Sequence, residues 1–429
     1  MSNHAPQTIE TPTDATTGSG TATRSGPTTG SDTEPRPHAG ADKLPLAALL
    51  ALTTAVFVTS LTETLPAGVL PSMSSDLGVG ESAMGQSVTI YAIGTALTAI
   101  PLFRATSGLR RKRLLLATMA GFAAANTVTA VSTNYPLTMA ARFVAGVAAG
   151  LAWALLAGYA RRMAPVHLQG KAIAVVMAGI PVALSLGVPA GTFLGKALGW
   201  RVAFALMTVL AVGVIGWILA LVPDHPGQRL HGRTPVLRTL RIPGVTPVLF
   251  VTLVFVSAHT VLYTYIAAFL DEVGMRNSTD LVLLVFGAAS MASIWIVGAH
   301  IHRRLRALTV VSTLLFAAAA GLLAIPTESP VLILAAAALW GLGWGGIPTL
   351  LQTAAGDAGG DDADTAQAML VTLWNVAMAG GAVAGGILLD VFGTGSFAWT
   401  VIALLIPVLV VVVAARAHGF PAERVSGDA

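Results

Sequence analysis

The chain has 429 residues, of which 55% are apolar and only 10% charged, against about 25% charged in a soluble domain. Its mean hydropathy of +0.76 and lack of cysteine exclude a string of soluble domains, a disulfide framework, a thiol nucleophile and a cysteine-ligated metal. The net charge of +4 comes from 24 Lys+Arg against 20 Asp+Glu. These basic residues sit in short clusters between apolar runs, a pattern that reports membrane orientation and not nucleic-acid binding.

Residues 1–43 are rich in Thr, Ser, Gly and Pro and are expected to form a disordered cytoplasmic tail. No cleavable signal peptide is expected, because the first apolar run is of membrane-spanning length and no small-residue cleavage site follows it. Twelve apolar runs follow, at 44–70, 83–103, 114–131, 137–160, 171–197, 200–222, 244–270, 281–301, 307–325, 331–352, 365–390 and 397–415. About 20 apolar residues cross a hydrocarbon core of about 30 Å, and backbone polar groups in lipid must be satisfied within the segment. The expected fold class is therefore an all-α membrane protein with twelve transmembrane helices.

An even number of spans puts both termini on one side. With the termini in the cytoplasm, 20 Lys and Arg fall inside and three (Lys196, Arg201 and Arg276) outside, while Arg142 lies within a span. That asymmetry orients the chain in the plasma membrane with cytoplasmic termini. The loop between spans ten and eleven has no Lys or Arg and four aspartates (Asp357, Asp361, Asp362 and Asp364). It lacks the liganding pattern of a calcium loop and is expected to be a solvated acidic loop.

The chain also repeats itself. Val182-Ala183, Gly187, Ala190-Gly191, Leu194 and Gly199 recur 194 residues later as Val376-Ala377, Gly381, Ala384-Gly385, Leu388 and Gly393, and Val56-Phe57-Val58-Thr59 recurs 198 residues later as Val254-Phe255-Val256-Ser257. Two matches in order divide the chain into six-helix halves, 44–223 and 244–415, joined by a cytoplasmic linker, 224–243, and followed by a short cytoplasmic tail, 416–429. Transporters built on such repeats bind solute near the midplane and rock the halves around it.

Several motifs resemble the major facilitator superfamily, and within it the twelve-helix drug:proton antiporters of the sugar-efflux and chloramphenicol-resistance branch. Thr62-Glu63 followed by Leu-Pro-Ala-Gly-Val-Leu-Pro resembles that branch in span one, as do Arg142-Phe-Val-Ala-Gly146-Val-Ala-Ala-Gly150 in span four and Gly187-Val-Pro189-Ala-Gly191 with Gly199-Trp200-Arg201 in span five. Trp340-Gly341, Pro348, Gln352 and Asn375 through Gly385-Gly386 resemble its C-terminal half. The basic run Arg110-Arg111-Lys112-Arg113 of loop 2–3 stands without the acidic residue that precedes it in the family. The resemblance implies a major facilitator fold and a secondary transporter exporting a drug, sugar or secondary metabolite by proton antiport. It implies small-molecule substrate, protons and lipid as partners, no enzymatic activity and no cofactor. A monomer is expected. An importer or facilitator of the same fold is the alternative, and a non-transporting receptor or scaffold a more remote one.

Glu63 lies about 9 Å beyond the midpoint of span one, and Arg142 enters span four to a similar depth. An ionised side chain in lipid is costly unless paired or wet. A carboxyl balanced between desolvation and a nearby cation can take a proton in one conformation and release it in another. Glu63 is thus the expected proton-coupling site and Arg142 its electrostatic partner; a static ion pair between the two helices is the alternative. His259 is a further candidate for proton relay or for an interhelical hydrogen bond. Tyr263 follows it, and Tyr265 is read as an interfacial residue. Tyr91, Asn126, Trp153, Tyr263, Trp340, Gln352, Trp374 and Asn375 are candidates for a substrate cavity, which needs aromatic faces and a few placed polar groups. Gly187, Pro189 and Gly191 form a candidate conformational motif, with plain helix packing as the alternative. Lys196 and Asp390 are expected to snorkel to the headgroups.

Overall fold

The computed structural model describes residues 44–106, 108–165, 168–226, 236–325 and 329–421. The N-terminal tail, residues 227–235 of the linker and the last residues of the C-terminal tail lie outside them. Every regular element described is helical. We label the spans α1 (Leu46–Leu77), α2 (Glu81–Ala105), α3 (Arg111–Val131), α4 (Tyr135–Met163), α5 (Lys171–Leu198), α6 (Trp200–Leu221), α7 (Val245–Thr264), α8 (Arg276–Ile301), α9 (Arg303–Leu323), α10 (Pro330–Gly359), α11 (Ala363–Phe392) and α12 (Ser396–Ala414). Eleven of them are long and apolar enough to cross a membrane; α2, with 25 residues, packs in the same bundle between α4 and α11. Large apolar side chains such as Trp295, Phe392 and Trp399 lie on the outer surface of the bundle, as a lipid solvent requires.

Several boundaries differ from the hydropathy reading for local reasons. The apolar run of α1 ends at Leu70, but the helix continues through Pro66 and Pro71 to Leu77. There Gly78 takes a left-handed conformation (φ 65°) and its N–H caps the carbonyls of Ser74 and Ser75. The extension moves the helix midpoint outward, so Glu63 sits within about 2 Å of it along the axis and not 9 Å beyond. Between α8 and α9 no loop intervenes; non-helical geometry at Arg304 (φ −134°, ψ 32°) alone turns the chain. The acidic loop expected between α10 and α11 is likewise reduced to one 3-10 turn, Gly360–Asp362, because α10 runs on to Gly359. α5 is interrupted by a π-helical turn at Ala183–Gly187, which ends two residues before Pro189.

With no hydrophobic force between helices in lipid, close packing depends on small residues. The same pairings recur in the two halves. A Cβ on Gly146 of α4 would lie 2.1 Å from the Tyr91 carbonyl of α2, and one on Gly345 of α10 would lie 2.1 Å from the Ser290 carbonyl of α8. Gly187 and Gly191 of α5 pack on Phe57, Leu61 and Leu65 of α1, while Gly381 and Gly385 of α11 pack on Ser257, Thr260 and Tyr265 of the α7 region.

Among the described residues, several polar contacts join the first six helices to the last six. Lys196 at the end of α5 donates to Asp280 at the start of α8 (2.6 Å), and the Tyr265 hydroxyl to the Ser82 carbonyl of α2 (3.4 Å). Deeper in the bundle, Ser185 donates to the Gly287 carbonyl (2.7 Å) and Thr89 to the Ala379 carbonyl (3.4 Å). Two expectations are corrected here. Lys196 does not merely snorkel: a carboxylate of the opposite half lies within reach. Tyr265 is not an interfacial residue: it is fully buried, its hydroxyl also donates to the Ala382 carbonyl at 2.9 Å, and Gly85, Gly385 and Gly386 leave room for its ring.

Candidate functional site

Four helices of the first half converge on one polar cluster. Arg142 of α4 is fully buried and donates from Nη1 to the Thr62 carbonyl of α1 at 2.7 Å. Its guanidinium lies 4.9 Å from the centre of the Tyr91 ring of α2, a cation–π contact. Asn126 of α3 donates to Thr62 Oγ1 at 3.1 Å, and the Tyr91 hydroxyl donates to the Thr59 carbonyl at 3.4 Å. Arg142 Nε and Nη2 and Asn126 Oδ1 have no partner in this cluster, so its hydrogen-bonding capacity is only partly used. Glu63 is half-buried beside it. Glu63 interacts electrostatically with Arg142, but the two do not form an ion pair within 4.0 Å. The guanidinium is spent instead on the backbone of Thr62 and the face of Tyr91.

The second half supplies an aromatic cluster from four helices. His259 of α7 stacks on Trp344 of α10 with ring centres 3.4 Å apart and planes 5° from parallel. Tyr263 lies 5.1 Å, Trp340 5.4 Å, Phe286 of α8 6.0 Å and Phe316 of α9 6.4 Å from the same ring. Trp340 Nε1 donates to His259 Nδ1 at 3.1 Å. Trp374 of α11 joins the cluster through Trp344 at 5.6 Å. Tyr263 connects the clusters of the two halves, because its side chain interacts with Thr64 and Glu63 of α1.

The sequence candidates therefore sort into groups. Glu63, Arg142, Tyr91 and Asn126 come together, as do His259, Tyr263, Trp340 and Trp374. Trp153 is half-buried against the core without a described polar contact. Gln352 is exposed, and its backbone carbonyl accepts from Gln367. Asn375 donates to its own helix at Val371 (2.9 Å) and lines a groove of about 550 Å³ between α2 and α11. Trp344 is absent from the sequence candidates; its spacing of four from Trp340, which puts both on one helix face, is the signal that marks it. Among the described residues no group of three His, Asp or Glu is placed to hold a metal ion.

At the other end of the bundle, the basic run of loop 2–3 docks on the start of the linker that follows α6. Arg110 pairs with Asp224 at 2.6 Å, the Lys112 N–H donates to the same carboxylate at 3.3 Å, and the Arg111 N–H donates to the His225 carbonyl at 2.9 Å. The segment that Asp224 begins is also held by α4, where the Tyr159 hydroxyl donates to the Pro223 carbonyl at 2.5 Å. The acidic partner missing before the basic run is thus supplied from beyond α6.

Residues 52–379 match the profile of the Major Facilitator Superfamily. The chain belongs to that superfamily. It is a multi-pass membrane transporter of small molecules and not an enzyme. A probable sugar efflux transporter of Mannheimia succiniciproducens is 26% identical over 358 residues, 82% of this chain and 89% of that protein. A chloramphenicol efflux pump of Mycobacterium tuberculosis is 31% identical over 369 residues, 80% of this chain and 86% of that one. The crystal structure of the human organic anion transporter MFSD10 shares the fold, with a TM-score of 0.64 at 15% identity, covering 86% of this chain and 99% of that one.

Proposed function

We propose that this transporter exports a small organic solute (a drug, sugar or secondary metabolite) across the plasma membrane in exchange for protons, with both termini in the cytoplasm. The observation that carries the reading is the position of Glu63. A half-buried carboxyl sits at the middle of α1, between a partly satisfied cationic cluster in its own half and Tyr263 of the other. Movement of one half against the other changes the surroundings of that carboxyl, and with them its proton affinity. The six-helix halves, 44–223 and 244–415, rock around the solute, and the π-helical turn that ends at Gly187, ahead of Pro189 and Gly191, is the element of α5 that adjusts. The efflux activities named for the two relatives support export. A monomer suffices, because both clusters lie within one chain.

The test uses everted membrane vesicles energised by respiration and supplied with labelled chloramphenicol and a labelled hexose in separate assays. One of the two accumulates above its equilibrium level, and a protonophore removes that accumulation. Accumulation of neither, or accumulation indifferent to the protonophore, overturns the proposal.

In this orientation the Lys196–Asp280 pair lies at the outer end, where α5 meets α8. A chain without cysteine allows a direct check. In the double variant Lys196→Cys/Asp280→Cys, a short bis(methanethiosulfonate) cross-linker, which forms a disulfide with each thiol and releases methanesulfinate, is expected to stop transport completely, and reduction of those disulfides to restore it. Unchanged flux in a fully cross-linked sample would show that this end does not open.

A further inference from the structure

We infer that His259 is a neutral hydrogen-bond donor facing the solute, and that Trp340 is the positioning residue that makes it so; this rests on the transporter reading above. The hydrogen bond between them has one direction. An indole Nε1 carries a proton and has no lone pair, so it only donates. Its contact with His259 Nδ1 at 3.1 Å therefore requires a lone pair on Nδ1. The ring that satisfies this is neutral, with its proton on Nε2. Charging the ring would put a second proton on Nδ1, directly against the indole N–H.

The neighbours give no reason for the ring to charge. Those that face it are Tyr263 on α7, Phe286 on α8, Phe316 on α9, and Trp340 and Trp344 on α10. None carries a charge, and a buried cation without a partner is costly. Glu63, the carboxylate that meets this cluster, does so through Tyr263.

Accessibility separates the two roles. Trp340 is fully buried and cannot touch a solute, whereas His259, Tyr263 and Trp344 keep 7%, 8% and 7% of their surface. His259 Nε2 makes no described hydrogen bond to the protein, yet it is not among the fully enclosed atoms without a partner. One donor atom is thus left available at the edge of an aromatic wall in which Tyr263 and Trp344 keep a sliver of accessible surface. The chemistry that fits is a neutral, flat solute that stacks on aromatic rings and offers a hydrogen-bond acceptor at its rim. A cation finds no counter-charge on this wall.

The test reads the ring directly. In purified full-length protein labelled with ¹⁵N-histidine, the Nδ1 and Nε2 signals of His259 are assigned by comparison with His259→Phe. They are followed between about pH 5 and pH 8, the range in which an ordinary histidine titrates. The expected result is an unprotonated Nδ1 and a protonated Nε2 throughout. Trp340→Phe, which keeps an aromatic ring but loses the donor, is expected to mix the two tautomers. Chloramphenicol or inosine, the neutral flat probes, is expected to shift the Nε2 signal, and the cation tetraphenylphosphonium is not. A proton on Nδ1 in the wild type, an unchanged tautomer in a folded Trp340→Phe, a shift with the cation alone, or no shift with any of the three probes would each overturn the inference. The vesicle assay depends on none of these signals, so failure here leaves the antiport reading standing, and the reverse.

Discussion

Glu63→Gln is expected to abolish uphill export while leaving solute exchange across the membrane intact. A proton crossing the membrane releases about 2.3 kcal/mol per 100 mV, which at about 1.4 kcal/mol per tenfold supports a solute gradient of about fifty-fold for a one-for-one exchange. Glutamine keeps the size and polarity of the side chain but cannot release a proton, so the coupled gradient should collapse to equilibrium. Counterflow, in which labelled solute exchanges for unlabelled without any driving force, should persist because the cavity is unaltered. The two assays on the same vesicles distinguish loss of coupling from loss of binding. A wild-type gradient in Glu63→Gln would remove this carboxyl from the mechanism. Loss of counterflow as well would make it a binding residue.

A large loss of stability is expected at Gly146. Any side chain there brings a Cβ to 2.1 Å from the Tyr91 carbonyl and 3.0 Å from its Cα. Backbone atoms cannot turn aside as a side chain can, so Gly146→Ala must push α2 and α4 apart. Overpacking of this kind costs about 1–3 kcal/mol, and here it also disturbs the Tyr91 ring beneath the Arg142 guanidinium. Gly158 lies on the same helix with nothing within 4 Å of a Cβ. Gly158→Ala should be neutral or gain up to about 1 kcal/mol from helix propensity. Thermal unfolding of the two variants in detergent, followed by loss of the monomeric peak, should order them Gly146→Ala, wild type, Gly158→Ala. Equal midpoints for the two variants would mean that the approach of α2 to α4 is looser than the structure places it.

Hydropathy revealed the spans because lipid imposes one rule on every residue of a helix. That rule is silent at the ends, which is why α1 and α10 run past their apolar stretches into polar caps. It is equally silent on partners. Lys196 and Asp280 stand 84 positions apart and His259 and Trp340 stand 81 apart, and nothing local distinguishes a lysine bound for headgroups from one bound for a carboxylate. Tyr265 looked interfacial because tyrosine favours the headgroup level; it is buried because Gly85 and Gly386 leave space where its ring must go. Glu63 and Arg142 are conspicuous in the sequence, since charge within an apolar run is costly enough to demand a reason. What the sequence did not disclose is that the arginine turns one nitrogen to the Thr62 carbonyl and its face to Tyr91, without a true ion pair to the carboxylate.

In the proposed orientation the outer mouth is held by the partly exposed Lys196–Asp280 pair and the Tyr265–Ser82 hydrogen bond, each worth about 1 kcal/mol or less. A clasp that weak leaves the resting carrier finely poised, with its idle orientation decided by small margins. Dissolved ions on the far side of the membrane screen Lys196 from Asp280, so external salinity becomes a throttle on how often the unloaded carrier turns to face the surroundings.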